Sequence, residues 1–419
     1  MRSTFLKKLF LLMSGTVLGQ LIIFVSSPLL TRFYSPADFG VLSIYTSVLS
    51  FLLVLGSLRY EMAILIARND SEAIQLVVLS TLILFVSSMS LLIGILVIAA
   101  LHVHHVQLVY ISKYMYLLPS GLFFMGLYNV ALNWSIRNSH FHLITKTKLS
   151  QSIWLTLSTL LMGLLNFKSW GLILGDLIGK GSGSVAMFRK FTHHISWRVI
   201  VQNIKISRLL ETMKTYKQYP LLMTWSSLFN VAGIYLSPML FTLFFDSTVG
   251  GHFSFGHRVV GAPLLLIGQS ISQVYVSTFP KQKYPLQLFK KTIMLVSLIG
   301  IVISIILFLF GEHIFHLAFG EGWRKSGEYV SILAFMYLFY MIAFPVSQTL
   351  IMLQKQLLQL LWDVSRVIFL VVLFCSVSIF SFSDIVTLQI YSIGMGVFYL
   401  ILLLLIYRTL HKISKKDLW

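Results

Sequence analysis

Apolar stretches long enough to cross a hydrocarbon core follow one another through almost the whole chain, which leaves little room for anything but a bundle of membrane-spanning helices. They lie near 9–31, 39–58, 75–101, 114–136, 149–165 and 170–188, then near 220–245, 250–279, 292–310, 328–353, 358–378 and 385–407. A helix needs about 20 apolar residues to span a bilayer, and within lipid every backbone N–H and C=O must be bonded internally. Charged residues make up 11% of the chain and mean hydropathy is +0.86, whereas a soluble protein carries roughly a quarter charged residues. The expected fold is an all-α polytopic membrane protein with about twelve transmembrane helices.

The first stretch begins on Arg2, Lys7 and Lys8 like a signal peptide. It is too long for one and lacks an A-x-A cleavage pattern, so it is expected to stay as a helix. Cys375 is the only cysteine, which excludes disulfides and a cysteine metal site. Lys and Arg gather on the cytoplasmic side of short membrane loops. With the N-terminus inside, the inner segments also hold Arg68, Arg137, Lys146, Lys148, a cluster from Arg189 to Lys217, Lys281, Lys283, Lys290, Lys291, Lys355, Arg408, Lys412, Lys415 and Lys416. Outer loops hold Arg32, Lys113, Lys168, Arg324 and Lys325. Both termini are therefore expected in the cytoplasm. The same asymmetry accounts for most of the net charge of +19, so no nucleic-acid partner is needed.

The one long polar connection, Arg189 to Tyr219, carries seven Lys or Arg against Glu211 alone. It divides the chain into an N-lobe at 1–188, a basic cytoplasmic linker at 189–219, a C-lobe at 220–410 and a basic tail at 411–419. Phe191, Ile195, Trp197, Ile200, Ile204 and Leu209 recur in the linker loosely at helical spacing, which fits a helix lying on an anionic inner leaflet. A solvated positive-inside loop fits equally well. Six stretches on each side give two six-helix lobes of the same orientation, a parallel repeat. Pro28, Gly40 and Tyr45 recur at a constant offset as Pro238, Gly250 and Phe255. In the sixth stretch Gly171, Gly175, Gly179 and Gly183 share one helical face, which lets a neighbouring backbone come close.

Arg258 lies in an otherwise apolar stretch, with no acidic residue within a helical turn. An arginine in hydrocarbon costs several kcal/mol unless it faces a cavity or a partner. It sits roughly 12 Å into the eighth stretch, where it serves either an anionic cargo or the carbonyls of neighbouring helices. Arg59, near the inner end of the second stretch, either lines a cavity or snorkels to the interface. Glu61, two positions on, belongs to another helical face and is not expected to neutralise Arg59. Arg32 reads as a cargo cation or an outer-interface anchor.

Asp176 with Lys180 and Asp363 with Arg366 are spaced to meet on one helix surface. A proton- or sodium-coupled transporter needs an intramembrane carboxylate that changes charge, and Glu61, Asp176 and Asp363 are the candidates. His102, His104, His105, His193 and His194 lack further ligands nearby and read as solvated loop rather than a zinc site. Tyr34, Tyr45, Trp134, Tyr235 and Phe255 suit packing more than sugar stacking.

Longer patterns coincide. PLLTRFYSPADFG (Pro28 to Gly40) and SLRYEMAI (Ser57 to Ile64) are followed by ALNWSIRNSHFHLITKTKLSQSI (Ala131 to Ile153) and GLILGDLIG (Gly171 to Gly179). YKQYP (Tyr216 to Pro220), VGGHFSFGHRVVGAPLLLIGQSISQVY (Val249 to Tyr275) and FGEGWRKSGEY (Phe319 to Tyr329) complete the series. In order and spacing they resemble the Wzx or polysaccharide-transport family of oligosaccharide-lipid flippases. That family belongs to the superfamily of multidrug extruders and the lipid II flippase.

The resemblance implies a V-shaped bundle of two lobes whose central cavity opens alternately to either face. It implies a cargo of undecaprenyl-pyrophosphate-linked oligosaccharide, moved between leaflets of the bacterial inner membrane without catalysis or cofactor. A polysaccharide polymerase and a chain-length regulator are implied partners, beside the bilayer itself. In the lipid II flippase, cavity arginines come from the first, second and eighth spans, the elements that hold Arg32, Arg59 and Arg258 here. Two rivals are a cation-coupled multidrug exporter, disfavoured by an arginine-rich cavity, and a polysaccharide polymerase or ligase, disfavoured by short outer loops.

Overall fold

The computed structural model describes residues 2–101, 113–194, 206–279, 282 and 284–416. Among them the regular elements are all helical. The long helices are α1 (Arg2–Phe33), α2 (Pro36–Gly56), α3 (Asp70–Ala100), α4 (Leu118–Arg137), α5 (Phe141–Leu164) and α6 (Ser169–His194). They continue as α7 (Thr224–Phe244), α8 (Ser247–Thr278), α9 (Pro285–Phe319), α10 (Arg324–Ala343), α11 (Gln356–Phe380) and α12 (Asp384–Lys416). Ten of these, with the short turns that extend some of them, are long and apolar enough to cross a membrane, so the protein is a multi-pass membrane protein.

The two long helices that do not qualify are α5 and α6, although the sequence reading counted both among about twelve spans. Their polar content is the reason: α5 carries Lys146, Lys148, Gln151 and a run of Ser and Thr, and α6 carries Asp176 and Lys180. Most of these hydroxyls are satisfied locally. Thr145, Thr147, Ser158 and Thr159 donate to carbonyls one turn back in α5, the usual way a helix absorbs such groups.

Two compact units divide the chain, Met1–Tyr235 and Leu236–Trp419, and their boundary falls inside α7. In the first unit α5 packs most extensively on α1 and α6. The glycine stripe explains the second contact. A Cβ at Gly179 would stand 2.5 Å from Leu155 Cβ and 2.9 Å from Leu155 Cα, so the backbones of α5 and α6 approach as only glycine permits.

The joint between α1 and α2 is built from Tyr34 to Asp38. Ser35 caps α2 in a capping box with Asp38, and Pro36 occupies the first turn. Ser169 Oγ of α6 donates to Asp38 Oδ1 (2.6 Å), and the Tyr34 hydroxyl donates to Thr159 O of α5 (2.7 Å). Burial, with the Asp38 charge, pushes the Tyr34 phenol up to about 12, so it stays a donor.

In the described part of the linker, Ile206–Thr215 is a helix. Leu209 and Tyr216 join a buried cluster with Tyr60, Ile64, Leu76 and Trp134, so Leu209 is covered by protein rather than by a lipid leaflet. Thr212 Oγ1 lies 3.0 Å from Gln75 Oε1 of α3. Ile195, Trp197, Ile200 and Ile204 lie outside the described residues, as does the side chain of Phe191.

In the second unit α10 is central, packed on α8, α9 and α12. Trp323, just before α10, reaches Phe255 of α8 (ring centroids 4.2 Å). Phe241 of α7 stacks on Phe253 (4.4 Å) and meets Phe374 edge-on (5.1 Å). The paired features noticed in the sequence extend further. Pro28 lies inside α1 and Pro238 inside α7. Thr31 and Thr242 donate to those prolines' carbonyls at 2.9 and 3.0 Å, and Ser35 and Asp246 cap the helices that follow.

Gly179→Leu is expected to force α5 from α6 at a cost of about 1–3 kcal/mol, as overpacking does. It should lower the melting temperature of the detergent-solubilised protein. Gly322→Ala, where an added Cβ meets nothing within 4 Å, should leave the melt unchanged. Equal melts for the two variants would show that the α5–α6 contact is not tight.

Candidate functional site

The second span does not run on as a helix past Gly56. Leu58 (φ 51°) and Arg59 (φ 61°) both take the left-handed backbone conformation, which is uncommon for any residue but glycine and costs about 1–3 kcal/mol each. A short helix, Tyr60–Ala63, and a tighter turn, Ile64–Ile66, complete an elbow before α3.

Inside the elbow Ser57 Oγ donates to Glu61 Oε2 (2.5 Å), and Arg59 Nη1 lies 3.5 Å from Glu61 Oε1. The Glu61 side chain is 2% exposed and that of Arg59 20%. This corrects the expectation that Glu61 leaves Arg59 unneutralised. Two residues apart in a continuous helix would diverge, but the left-handed turn at Arg59 brings the guanidinium to the carboxylate. Arg59 Nε is buried without a hydrogen-bond partner among the described residues.

The elbow is held from two sides. Arg137 Nη1, at the end of α4, donates to Ile64 O (3.2 Å) and Ala67 O (2.8 Å), and its Nη2 lies 3.4 Å from Asp70. The Tyr60 hydroxyl donates to Met213 O of the linker helix (3.3 Å). Sequence reasoning counted Arg137 only as a positive-inside charge. Its capping role depends on a helix break that no local spacing announces.

Arg258 lies on α8 about 16 Å from the helix start at 1.5 Å per residue, and it is exposed. Its neighbours Phe255, Gly256, Val259 and Val260 are buried. The positions one turn to either side hold Ser254, Phe255, Gly261 and Ala262, small residues apart from the buried Phe255. A Cβ on Gly261 would meet nothing within 4 Å, so no protein group crowds that position of the helix. Two histidines that sequence reasoning passed over lie on the same helix: buried His252, whose Nδ1 is 2.9 Å from Ser326 Oγ, and partly buried His257, whose Nδ1 is 3.1 Å from the Tyr337 hydroxyl.

Arg32 is exposed in the last turn of α1, where its charge complements the helix C-terminus. It and Arg59 flank α2, whose 21 residues measure about 31 Å. One pyrophosphate cannot touch both. The other expected ion pairs form: Lys180 Nζ to Asp176 Oδ2 at 2.6 Å, and Arg366 Nη2 to Asp363 Oδ1 at 3.1 Å. Arg366 also lies over the Trp362 ring (4.5 Å).

Tyr34, Tyr45, Trp134 and Phe255 are buried in packing, and Tyr235 is partly buried. Among the described residues no cluster of His, Cys, Asp and Glu could hold a metal. His102, His104 and His105 lie outside them, as do the side chains of His193 and His194.

A family model described as polysaccharide biosynthesis protein matches residues 29–328. The fold is similar to an inward-facing multidrug resistance MATE family transporter of the MOP superfamily, with a TM-score of 0.64 at 13% identity, covering 96% of this chain and 94% of that one. An outward-facing transporter of the same family gives 0.61 at 13% identity, with 99% and 97% covered. A MOP superfamily transporter from Pyrococcus furiosus, whose reversed binding-pocket polarity is said to suggest a different function, gives 0.61 at 13% identity, with 97% and 95% covered. At such identities the likeness is one of fold. No curated protein matches the sequence.

Arg137→Ala should remove the donor to two elbow carbonyls, a loss of about 1–3 kcal/mol per unsatisfied group. Amide hydrogen exchange is expected to quicken across residues 60–67 while α9 and α10 stay protected. Unchanged exchange there would mean that Arg137 does not hold the elbow.

Proposed function

The chain belongs to the polysaccharide biosynthesis protein family, and from that premise we propose that it is a flippase for an undecaprenyl-pyrophosphate-linked oligosaccharide. The cargo is an O-antigen or related surface-polysaccharide repeat, carried from the inner to the outer leaflet of the bacterial inner membrane by alternating access. Twelve spans with both termini cytoplasmic complete this reading. The MATE-like fold supports transport rather than catalysis, since flipping breaks no covalent bond.

The observation that carries the reading is Arg258, a fixed cation deep in an apolar helix with small residues beside it. Guanidinium stays charged at any relevant pH and binds phosphate oxygens in bidentate fashion. In a low-dielectric layer such a group lowers the penalty of a diphosphate crossing. It would repel a cationic drug, which favours the glycan-lipid cargo over multidrug export.

Arg59, at the cytoplasmic end of α2, is the first cation the cargo meets, and Arg32, at the far end, the last. Glu61, Asp176 and Asp363 are the positions where a proton or sodium gradient would be coupled. A polysaccharide polymerase and a chain-length regulator would receive the flipped unit.

Arg258→Ala should abolish surface glycan while the protein still reaches the membrane, read by gel analysis of surface polysaccharide beside an immunoblot of membranes. Arg258→Lys should leave a partial defect, because lysine keeps the charge but not the planar fork. Normal glycan from Arg258→Ala would remove Arg258 from the cargo path.

A further inference from the structure

We infer that Glu61, held by Ser57, is a positioning residue that tunes how tightly Arg59 grips an anionic lipid headgroup and so how readily the headgroup is released. This rests on reading Arg59 as a cargo cation. Three features of the elbow support it.

The first is spacing. Arg59 Nη1 and Glu61 Oε1 are 3.5 Å apart, well beyond the 2.7–2.9 Å or so of a charge-assisted hydrogen bond. The carboxylate lowers the local charge without occupying the guanidinium. The second is restraint. Ser57 Oγ holds the other carboxylate oxygen at 2.5 Å, and Ser57 and Glu61 are both buried, so Glu61 is kept back from closing on Arg59.

The third is an open donor. Arg59 Nε is buried with no hydrogen-bond partner among the described residues, and a buried donor without an acceptor is costly. A phosphate oxygen satisfies it while Glu61 stays where it is. Two consecutive left-handed residues fix this arrangement. Among the described residues Glu61 has Arg59 as its one ion-pair partner, since Arg137 on the other side of the elbow bonds to carbonyls and Asp70.

A bare guanidinium with its Nε buried would bind a diphosphate more strongly and let go more slowly. A neighbouring carboxylate at a fixed remove weakens the grip to a level that permits turnover. Two substitutions at one contact should therefore act in opposite directions. Glu61→Gln removes the opposing charge and keeps the shape, so binding tightens. Ser57→Ala frees the carboxylate to close on Arg59, so binding weakens.

The test uses the full-length protein in nanodiscs of zwitterionic lipid, with undecaprenyl pyrophosphate as the probe and affinity and dissociation rate as readouts. Glu61→Gln is expected to lower Kd about tenfold, mainly through slower dissociation, and Ser57→Ala to raise it several-fold. The control is Arg59→Ala combined with Glu61→Gln, which leaves no buried carboxylate unpaired and should lose most of the binding. If that control binds like the wild type, Arg59 is not a cargo cation and both readings fall. If binding depends on Arg59 but Glu61→Gln leaves it unchanged or weaker, the inference about Glu61 alone is overturned. Should Glu61→Gln not fold, a Ser57→Ala variant that binds as tightly as the wild type or tighter overturns it by itself.

Discussion

Water is absent from the middle of a bilayer, so every polar group placed there has to find its partner inside the protein. Most of the local structure follows from that demand. Serines and threonines along α2, α5 and α11 donate to carbonyls one turn back in their own helices. After Gly56 the chain leaves helical geometry at Leu58 and Arg59, and beyond that turn Arg137 supplies donors to Ile64 O and Ala67 O while the linker helix covers Tyr60. The elbow lies between the spans Pro36–Gly56 and Asp70–Ala100, and its turn brings Arg59 to Glu61.

The charges sort by how they meet the same demand. Asp176 with Lys180 and Asp363 with Arg366 are neutral pairs within single helices, and Lys325 with Asp384 is a pair where α10 and α12 begin (2.7 Å). Arg59 is only half compensated, by a carboxylate held at a distance. Arg258 stands exposed on α8, with Phe255, Gly256, Val259 and Val260 buried around it. Arg59 and Arg258 are both cations set on or beside the long apolar helices α2 and α8.

Much of the fold was legible because hydrophobic length is so direct a signal in membrane proteins. The apolar stretches near 292–310 and 358–378 became α9 and α11, and the glycines of the sixth stretch became the α5–α6 contact. The i,i+3 and i,i+4 ion pairs were legible for the same reason: helical spacing fixes which side chains meet. That rule misled at Arg59 and Glu61, because it assumes an unbroken helix and the chain turns through two left-handed residues at Leu58 and Arg59. α5 and α6 are long enough to span but too polar to count as apolar spans, with Lys146, Lys148 and Gln151 on one and Asp176 and Lys180 on the other. Leu209 fitted a helix on the leaflet and a solvated loop equally well, yet it is buried with Tyr60 and Trp134, a long-range packing choice that local periodicity does not encode.

The most direct measurement reconstitutes the purified protein in liposomes containing an undecaprenyl-pyrophosphate oligosaccharide and follows its arrival at the outer leaflet by accessibility to a membrane-impermeant glycan-oxidising reagent. A flippase should raise the rate well above protein-free liposomes, and undecaprenyl pyrophosphate should compete. Liposomes in which the glycan lipid crosses no faster than without protein, while a cationic dye is exported, would contradict the central claim.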